Sequence, residues 1–247
     1  MSALTLVGVW AHPDDEAYLS AGLMAQFRLL GHRVVVVTAT NGEHGTADPQ
    51  NWPPQRLAQL RECELRSSLA AVDVHELHLL GYEDGTCQQH DGTDVLARRL
   101  ADIQPDLIVT FGPDGMTGHP DHRAVSEWTT RARAAACPAA GLWHATLTAE
   151  FHEQWGDLNK RIGLWDDQPH PPCVTPAELV SCHHLSDDLL DRKAAALAAH
   201  WSQTAPLIDL VGADAYRHWW STEAFRLAPE TNTNPRTKSL SRSIATT

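Results

Sequence analysis

The sequence predicts an α/β fold with a mainly parallel sheet, followed by a less regular C-terminal part that closes the site. Over the first 135 residues, short apolar runs alternate with longer segments of helical spacing. Two of these runs, residues 34–39 and 107–111, are β-branched and apolar on both faces, as in strands buried within a parallel sheet. Strands that alternate with helices form βαβ units with right-handed crossovers.

The alternation also gives the order of the elements. Strands are predicted at residues 4–10, 34–39, 77–80 and 107–111, and helices at residues 17–30, 54–72, 93–103 and 121–136. Beyond residue 137 the pattern weakens. There we predict a strand at residues 145–151, a loop at residues 155–172, and a helix at residues 187–199 with Ser186 as its N-cap.

The length of 247 residues is enough for one domain with a full core, which would bury about 70% of the surface of the unfolded chain. We expect this domain to span residues 1–230, with an α/β core at 1–135 and a pocket-forming part at 136–230. Residues 231–247 are rich in Thr, Ser and Asn and are expected to form a flexible tail.

Composition excludes several classes of protein. With 19 Lys+Arg against 31 Asp+Glu, the net charge of −12 argues against a non-specific nucleic-acid binder. An apolar run of about 18 residues, as a membrane span requires, does not occur. The five cysteines are widely spaced and form no C-x-x-C motif, which predicts free thiols and a cytoplasmic protein. The oligomeric state stays open.

A first cluster of polar residues follows the first predicted strand, at residues 11–16 (Ala-His-Pro-Asp-Asp-Glu). One imidazole and three carboxylates lie side by side here, and such carboxylates repel one another unless a cation or hydrogen bonds compensate. The alternative explanation is a helix N-terminus, where acidic side chains cap free N–H groups and favour the helix dipole.

A second cluster, residues 118–122 (Gly-His-Pro-Asp-His), follows the strand that ends at residue 111. Because the carboxyl ends of parallel strands meet at one edge of the sheet, the two loops are expected to face each other. They then bring His12, Asp15 and His122 together as a metal-ligand set. Asp14 remains as a carboxylate outside this set, and His119 as a second imidazole.

Three protein ligands and an open position are typical of catalytic zinc sites, where bound water becomes a nucleophile. Asp14 adjoins a ligand and is placed to take a proton from that water. His119 is placed to polarise the reacting group, with Asp121 as its supporting partner. Two His and one carboxylate also describe the iron(II) site of oxygenases, but the motif spacing and the parallel α/β pattern argue against oxygenase chemistry. Zinc is expected, with iron(II) as the alternative metal.

Taken together, the two motifs resemble the PIG-L (LmbE-like) family of zinc-dependent N-acetylglucosaminyl deacetylases. The resemblance covers roughly the first 135 residues and resumes weakly at residues 193–203. It includes residues 38–43, the pair Arg61 and Glu64, and the pair Asp84 and Gly85. It implies a Rossmann-like three-layer fold and hydrolysis of the N-acetyl group of a small sugar conjugate.

The resemblance also implies roles for individual residues. His12, Asp15 and His122 would bind zinc. Asp14 would act as the general base and later as the acid towards the leaving amine, and His119 would stabilise the oxyanion.

Substrate contacts are likewise implied by the resemblance, with Arg61 and Asp84 touching the sugar-bearing substrate. Several family members carry a Tyr two residues before the position of His119, and this sequence has Thr117 there. Either a group from elsewhere assists or His119 carries that role alone, and the departure argues against direct equivalence to the deacetylases of thiol-cofactor synthesis. Trp201, Trp219 and Trp220 either stack on a sugar or pack in the core, and core packing is the favoured interpretation.

The leading hypothesis is therefore a metal-dependent N-deacetylase acting on a GlcNAc-type conjugate. One alternative is an amidase for another acylated amine, a natural product or a thiol conjugate. Another is a non-catalytic sugar-binding protein, although a pure binder has no need of the spare Asp14 carboxylate. The aglycone cannot be read from residues 138–185, which we expect to form the pocket wall.

Overall fold

The computed structural model describes residues 3–165, 168 and 170–229, so the predicted tail at 231–247 lies outside the described residues. The strands are β1 (Thr5–Trp10), β2 (Arg33–Thr40), β3 (Glu76–Tyr82), β4 (Leu107–Phe111), β5 (Gly141–Thr146), β6 (Leu179–His184) and β7 (Thr222–Leu227). The helices are α1 (Asp15–Leu29), α2 (Pro54–Ala71), α3 (Thr93–Ile103), α4 (Pro120–Ala136), α5 (Ala149–Arg161), α6 (Asp187–Ala199), α7 (Trp201–Val211) and α8 (Ala213–Trp219).

One sheet holds these strands in the order β3-β2-β1-β4-β5-β7-β6. The first five strands of that order run parallel, and β7 pairs antiparallel with both β5 and β6. The predicted mainly parallel α/β fold is thus confirmed. The winding reverses between β1 and β4, which lie side by side, and ligands of open α/β sheets bind outside the carboxyl ends of such a strand pair.

The core follows from the apolar strands. Along β4 every residue is buried, and in β1 and β2 every residue except the first is buried. Helices cover both faces of the sheet: α1 and α2 pack against α6, whereas α3 packs against α4. This gives three layers, as expected for a doubly wound sheet. Within the described part of the chain, no helix is long and apolar enough to cross a membrane.

A fully buried ion pair joins the C-terminal part to α1. Lys193 Nζ lies 2.7 Å from Glu223 Oε1, and neither side chain is exposed. The same carboxylate accepts hydrogen bonds from the backbone N–H groups of Gly22 and Leu23, each at 2.8 Å. Lys193 also donates to the carbonyl oxygen of Tyr18 at 2.7 Å. Helix α6 and strand β7 are therefore tied to the helix that follows the first motif.

The strand predicted at residues 145–151 was wrong. Strand β5 begins earlier, at Gly141, and ends at Thr146. The hydroxyl of Thr148 then accepts a hydrogen bond from the backbone N–H of Phe151 at 3.3 Å and caps the start of α5. A threonine at this position favours a helix start over a continuing strand.

The loop predicted at residues 155–172 was wrong over its first part, because α5 continues to Arg161. Phe151, Trp155 and Leu158 recur at helical spacing, and all three pack against the core. The predicted helix at residues 187–199 is confirmed, with Ser186 at the N-cap position. Strands β6 and β7 and helices α7 and α8 were not predicted.

Candidate active site

A cavity of about 440 Å³ lies at the carboxyl ends of β1 and β4. Of the residues that the sequence analysis selected, seven line it: His12, Asp14, Asp15, Arg61, Asp84, His119 and His122. The eighth, Asp121, is fully buried behind the cavity surface. The structure thus brings the two motif loops together at one edge of the sheet.

Two imidazole nitrogens face each other in this cavity, His12 Nδ1 and His122 Nε2, 3.1 Å apart. His122 Nδ1 lies 2.9 Å from the carbonyl oxygen of Gly115 and therefore carries the ring hydrogen. His12 Nε2 lies 3.1 Å from Asp84 Oδ1 and 3.2 Å from Asp121 Oδ2, so its hydrogen is held by these carboxylates. In the neutral rings, both facing nitrogens then present lone pairs, an arrangement that a cation satisfies.

Asp15 completes a donor set of two nitrogens and one carboxylate. Its Oδ1 lies 3.4 Å from His122 Nε2 and its Oδ2 lies 3.7 Å from His12 Nδ1. Burial raises the pKa of Asp15 to about 7, and the charge of His12 opposes that rise. Two nitrogens bound tetrahedrally to zinc at about 2.05 Å would lie about 3.3 Å apart. The residues present therefore fit a zinc-type ion.

His119 is the other imidazole within reach of this pair. Ligand atoms of His12, His119 and His122 all lie within 4.8 Å of one another. However, His119 occupies the N-cap of α4, and its Nδ1 accepts a hydrogen bond from the backbone N–H of Asp121 at 3.2 Å. The hydrogen of the neutral ring is then on Nε2, which makes His119 a hydrogen-bond donor and disfavours it as a metal ligand.

Two carboxylates behind His12 have backbone partners of their own. Asp121 accepts from the N–H groups of Gly85 at 2.7 Å and Cys87 at 2.9 Å, and Asp84 accepts from the N–H of His44 at 3.0 Å. Burial opposes a charge on His12, but hydrogen bonds with Asp121 and Asp84 outweigh it and raise the pKa of His12 to about 10. The two carboxylates thus make His12 a more basic nitrogen donor.

Asp14 adopts an unusual backbone conformation at the start of α1, with φ at 119°. Such a conformation costs about 1–3 kcal/mol in a residue other than glycine and persists only where surrounding contacts hold it. The Glu16 carboxylate accepts the Asp14 N–H at 2.9 Å, and Glu16 is in turn held by His200 at 2.7 Å and by Ser68 at 2.8 Å. Burial raises the pKa of Asp14, and the charge of Arg61 opposes that rise.

Arg61 holds the same loop from the side of α2. Its guanidinium donates to Asp14 Oδ2 at 3.0 Å, to the carbonyl oxygen of Gly42 at 2.8 Å, and to the carbonyl oxygen of Pro13. The side chain is only 4% exposed. The contacts predicted for Arg61 and Asp84 with a sugar stay predictions, because the partners seen here are groups of the protein.

Two residues that hold Asp14, one directly and one through the other, were not predicted as site residues from the sequence. Glu16 and His200 are both fully buried and lie 184 positions apart along the chain. The sequence did show Glu16 as an acidic residue within the first motif, but an acidic residue there is also typical of a helix start.

Thr117 lines the cavity with its hydroxyl 3.5 Å from His122 Nδ1. Trp219 and Trp220 are buried and also line the cavity.

The chain matches known proteins along most of its length. It is 34% identical over 226 residues to the 1D-myo-inositol 2-acetamido-2-deoxy-alpha-D-glucopyranoside deacetylase of Corynebacterium glutamicum, covering 82% of this chain and 76% of the relative. It is 39% identical over 126 residues to the probable N-acetyl-alpha-D-glucosaminyl L-malate deacetylase 2 of Bacillus subtilis, covering 49% of this chain and 57% of that one.

The fold has solved counterparts. The N,N'-diacetylchitobiose deacetylase of Pyrococcus horikoshii superimposes with a TM-score of 0.63 at 20% identity, over 92% of this chain and 85% of that chain. The model of the GlcNAc-PI de-N-acetylase family, PIG-L, matches residues 7–133, which include both motifs. That match, together with the 34% identity to the corynebacterial enzyme, shows that the chain belongs to the PIG-L (LmbE-like) family, as its two His/Asp motifs predict.

Proposed function

We propose that this protein is a metal-dependent hydrolase that removes the N-acetyl group from a GlcNAc-type sugar conjugate. The observation that carries the proposal is the pair of facing nitrogens of His12 and His122, 3.1 Å apart, beside the carboxylates of Asp14 and Asp15. Relatives in the family are named as deacetylases of such conjugates, which supports the reaction class.

His12, Asp15 and His122 would hold the metal, for which we propose zinc, with iron(II) as the alternative because the same donors suit both. The metal ion, when bound, supplies positive charge that polarises the amide carbonyl and lowers the pKa of a water molecule. The buried carboxylate of Asp15 offsets part of that charge.

Asp14 and His119 supply the proton transfers and the hydrogen bond that amide hydrolysis needs. Asp14, whose side chain is 18% exposed, takes a proton from the attacking water while Arg61 holds its Oδ2. The His119 N–H donates a hydrogen bond to the oxygen of the amide as charge develops there. Asp14 then returns the proton to the nitrogen as the C–N bond breaks, which releases acetate and a primary amine.

The alternative within the same chemistry is hydrolysis of another acylated amine, a natural product or a thiol conjugate. The carboxylate of Asp14 beside the candidate ligands favours either hydrolase over a sugar-binding protein without activity.

We further propose a small-molecule substrate and no nucleic-acid partner, supported by the net charge of −12. The five cysteines are free thiols, in keeping with the cytoplasmic location we propose. A homo-oligomer is compatible with the proposal.

The test is release of primary amine from N-acetylglucosaminyl conjugates by zinc-loaded protein. The panel carries inositol, malate, lipid and antibiotic aglycones, and Asp14→Asn serves as the matched control. Release that requires Asp14 supports the proposal. Absence of release from every conjugate, with one zinc bound per chain, contradicts it and favours another amide or a binding role.

A further inference from the structure

The cavity has a polar floor and an apolar wall. The floor comes from the two motif loops together with His44, Arg61 and Asp84, and Tyr18 and Leu19 of α1 form one part of the wall. The C-terminal part of the chain supplies six apolar side chains to the wall: Leu147, Leu164, Trp165, Leu207, Trp219 and Trp220. From the same part, Gln203 is the one polar side chain among the described residues that line the cavity.

The aromatic side chains of this wall hold one another in place. The rings of Tyr18 and Trp220 pack edge to face with centroids 4.8 Å apart, and those of Trp219 and Trp220 lie 4.9 Å apart. The Tyr18 hydroxyl is held by that of Tyr216 at 2.6 Å. Because these side chains are fixed by contacts with one another, we expect an apolar group to bind against them with little loss of conformational entropy.

Part of the wall offers apolar surface to a ligand. Leu19 of α1 and Leu207 of α7 line the cavity and are only half-buried, as is Leu164. Polyhydroxylated groups placed against such surface lose hydrogen bonds to water without replacement. A polyol such as inositol would find Gln203 as its one polar side chain in the described C-terminal part of the wall.

An anionic aglycone is equally poorly matched. Among the described lining residues, Arg61 is the one arginine or lysine. Its Nη1 and Nη2 already donate to Gly42, Pro13 and Asp14. A dicarboxylate such as malate would thus find no second arginine or lysine among the described lining residues, and burying its charge would be costly.

We infer that the substrate carries an apolar group next to the scissile amide, either as the aglycone of the sugar or as an acyl chain longer than acetyl, and that this group seats against Tyr18, Leu207 and Trp220. The inference rests on the amide hydrolysis proposed for this site. An apolar aglycone keeps the N-acetyl substrate, whereas a longer acyl chain belongs to the alternative of another acylated amine. An apolar aglycone and a long acyl chain would both supply the apolar group, and the two arms of the experiment below distinguish them.

The first measurement is binding to zinc-loaded Asp14→Asn protein, followed by tryptophan fluorescence because Trp219 and Trp220 form the wall. One arm compares phenyl and octyl N-acetylglucosaminides with the inositol glycoside. The other compares N-octanoylglucosamine with N-acetylglucosamine. We expect at least about tenfold tighter binding of the apolar member in one arm, a size typical of small apolar differences in an apolar pocket. That arm identifies the source of the apolar group.

A matched pair of variants then locates the group. Leu207→Asn is expected to abolish most of the tenfold preference, whereas Leu210→Asn, on the same helix and 59% exposed, is expected to leave it unchanged. Equal or tighter binding of both polar members overturns the inference, as does a preference that survives in Leu207→Asn. Amine release from the inositol glycoside together with equal binding would keep the proposed function and reject the apolar substrate. Tighter binding of the apolar member without amine release from any conjugate would keep the apolar binding site and reject the proposed function.

Discussion

The guanidinium of Arg61 donates a hydrogen bond of 3.0 Å to the Asp14 carboxylate, and the Arg61 side chain is almost completely buried. Asp14 stands at the left-handed start of α1, where its backbone N–H is held by Glu16. The carboxylate proposed as general base is therefore held from two sides. We therefore propose that Arg61 positions the carboxylate of Asp14.

Replacing Arg61 with Gln should lower kcat about 10- to 100-fold with a smaller change in KM. The reason is that a misplaced base loses its geometry for proton transfer, whereas the binding surface stays largely intact. Steady-state kinetics of amine release measures both constants. Arg66→Gln, on the same helix but exposed and paired with Glu62, is the control and should behave as wild type. A rise in KM alone would instead assign Arg61 to substrate binding.

Asp121→Asn should weaken metal binding about 10- to 100-fold, as is usual when the carboxylate behind a histidine ligand is removed. The substitution takes a charged acceptor from His12 Nε2, 3.2 Å away. Competition with a chromophoric chelator gives the metal Kd. Asp102→Asn, on the exposed side of α3, serves as the control. An unchanged Kd for Asp121→Asn would mean that His12 does not depend on this partner.

Lys193→Met should lower the free energy of unfolding by about 3–5 kcal/mol, because it leaves the Glu223 carboxylate buried without its partner. Urea unfolding of the purified variant measures the change. Lys160→Met, at an exposed position near the end of α5, should change stability by less than about 0.5 kcal/mol. Equal stabilities of the two variants would show that the buried ion pair does not tie β7 to α1.

The protein should lose stability in mild acid through His144. Burial, aided by the charge of Arg226, lowers the pKa of His144 to about 4 in the folded state, against about 6.5 in the unfolded chain. Between these values the unfolded chain binds more protons, so stability falls as the pH falls. The expected loss is about 2 kcal/mol from pH 7 to pH 5.

Urea unfolding at both pH values tests this expectation, with His144→Gln as the comparison. Other titrating groups act in both proteins, so the difference in their pH dependence isolates His144. The variant should lose about 2 kcal/mol less than wild type over this interval. The same pH dependence in both proteins would contradict the assignment.

Most of the parallel core and the meeting of the two motif loops could be predicted from the sequence. The β-branched runs at β2 and β4 are apolar on both faces, and the order of parallel strands brings their carboxyl ends to one edge. The ligand set and the roles of Asp14 and His119 remain predictions. The geometry is consistent with them, including a tautomer of His119 that no sequence pattern reveals.

The C-terminal part was harder to predict because its residues depend on distant partners. Glu223 is the second residue of β7, where a carboxylate argues against a buried strand, yet it is buried because Lys193 pairs with it. His200 likewise lies at a helix boundary, and its ring is held by Glu16 from near the opposite end of the chain. In α5, a helical apolar face was present but was obscured by its Trp, Asp and Gly content.

The central claim is that a metal ion lies between His12, Asp15 and His122, beside Asp14. Anomalous diffraction at the zinc edge from crystals of the zinc-loaded protein tests it most directly. We predict one peak within about 2.0–2.2 Å of His12 Nδ1, His122 Nε2 and an Asp15 oxygen. A peak bound by His119 in place of Asp15, or one between His12 Nε2 and the carboxylates of Asp84 and Asp121, would contradict the account.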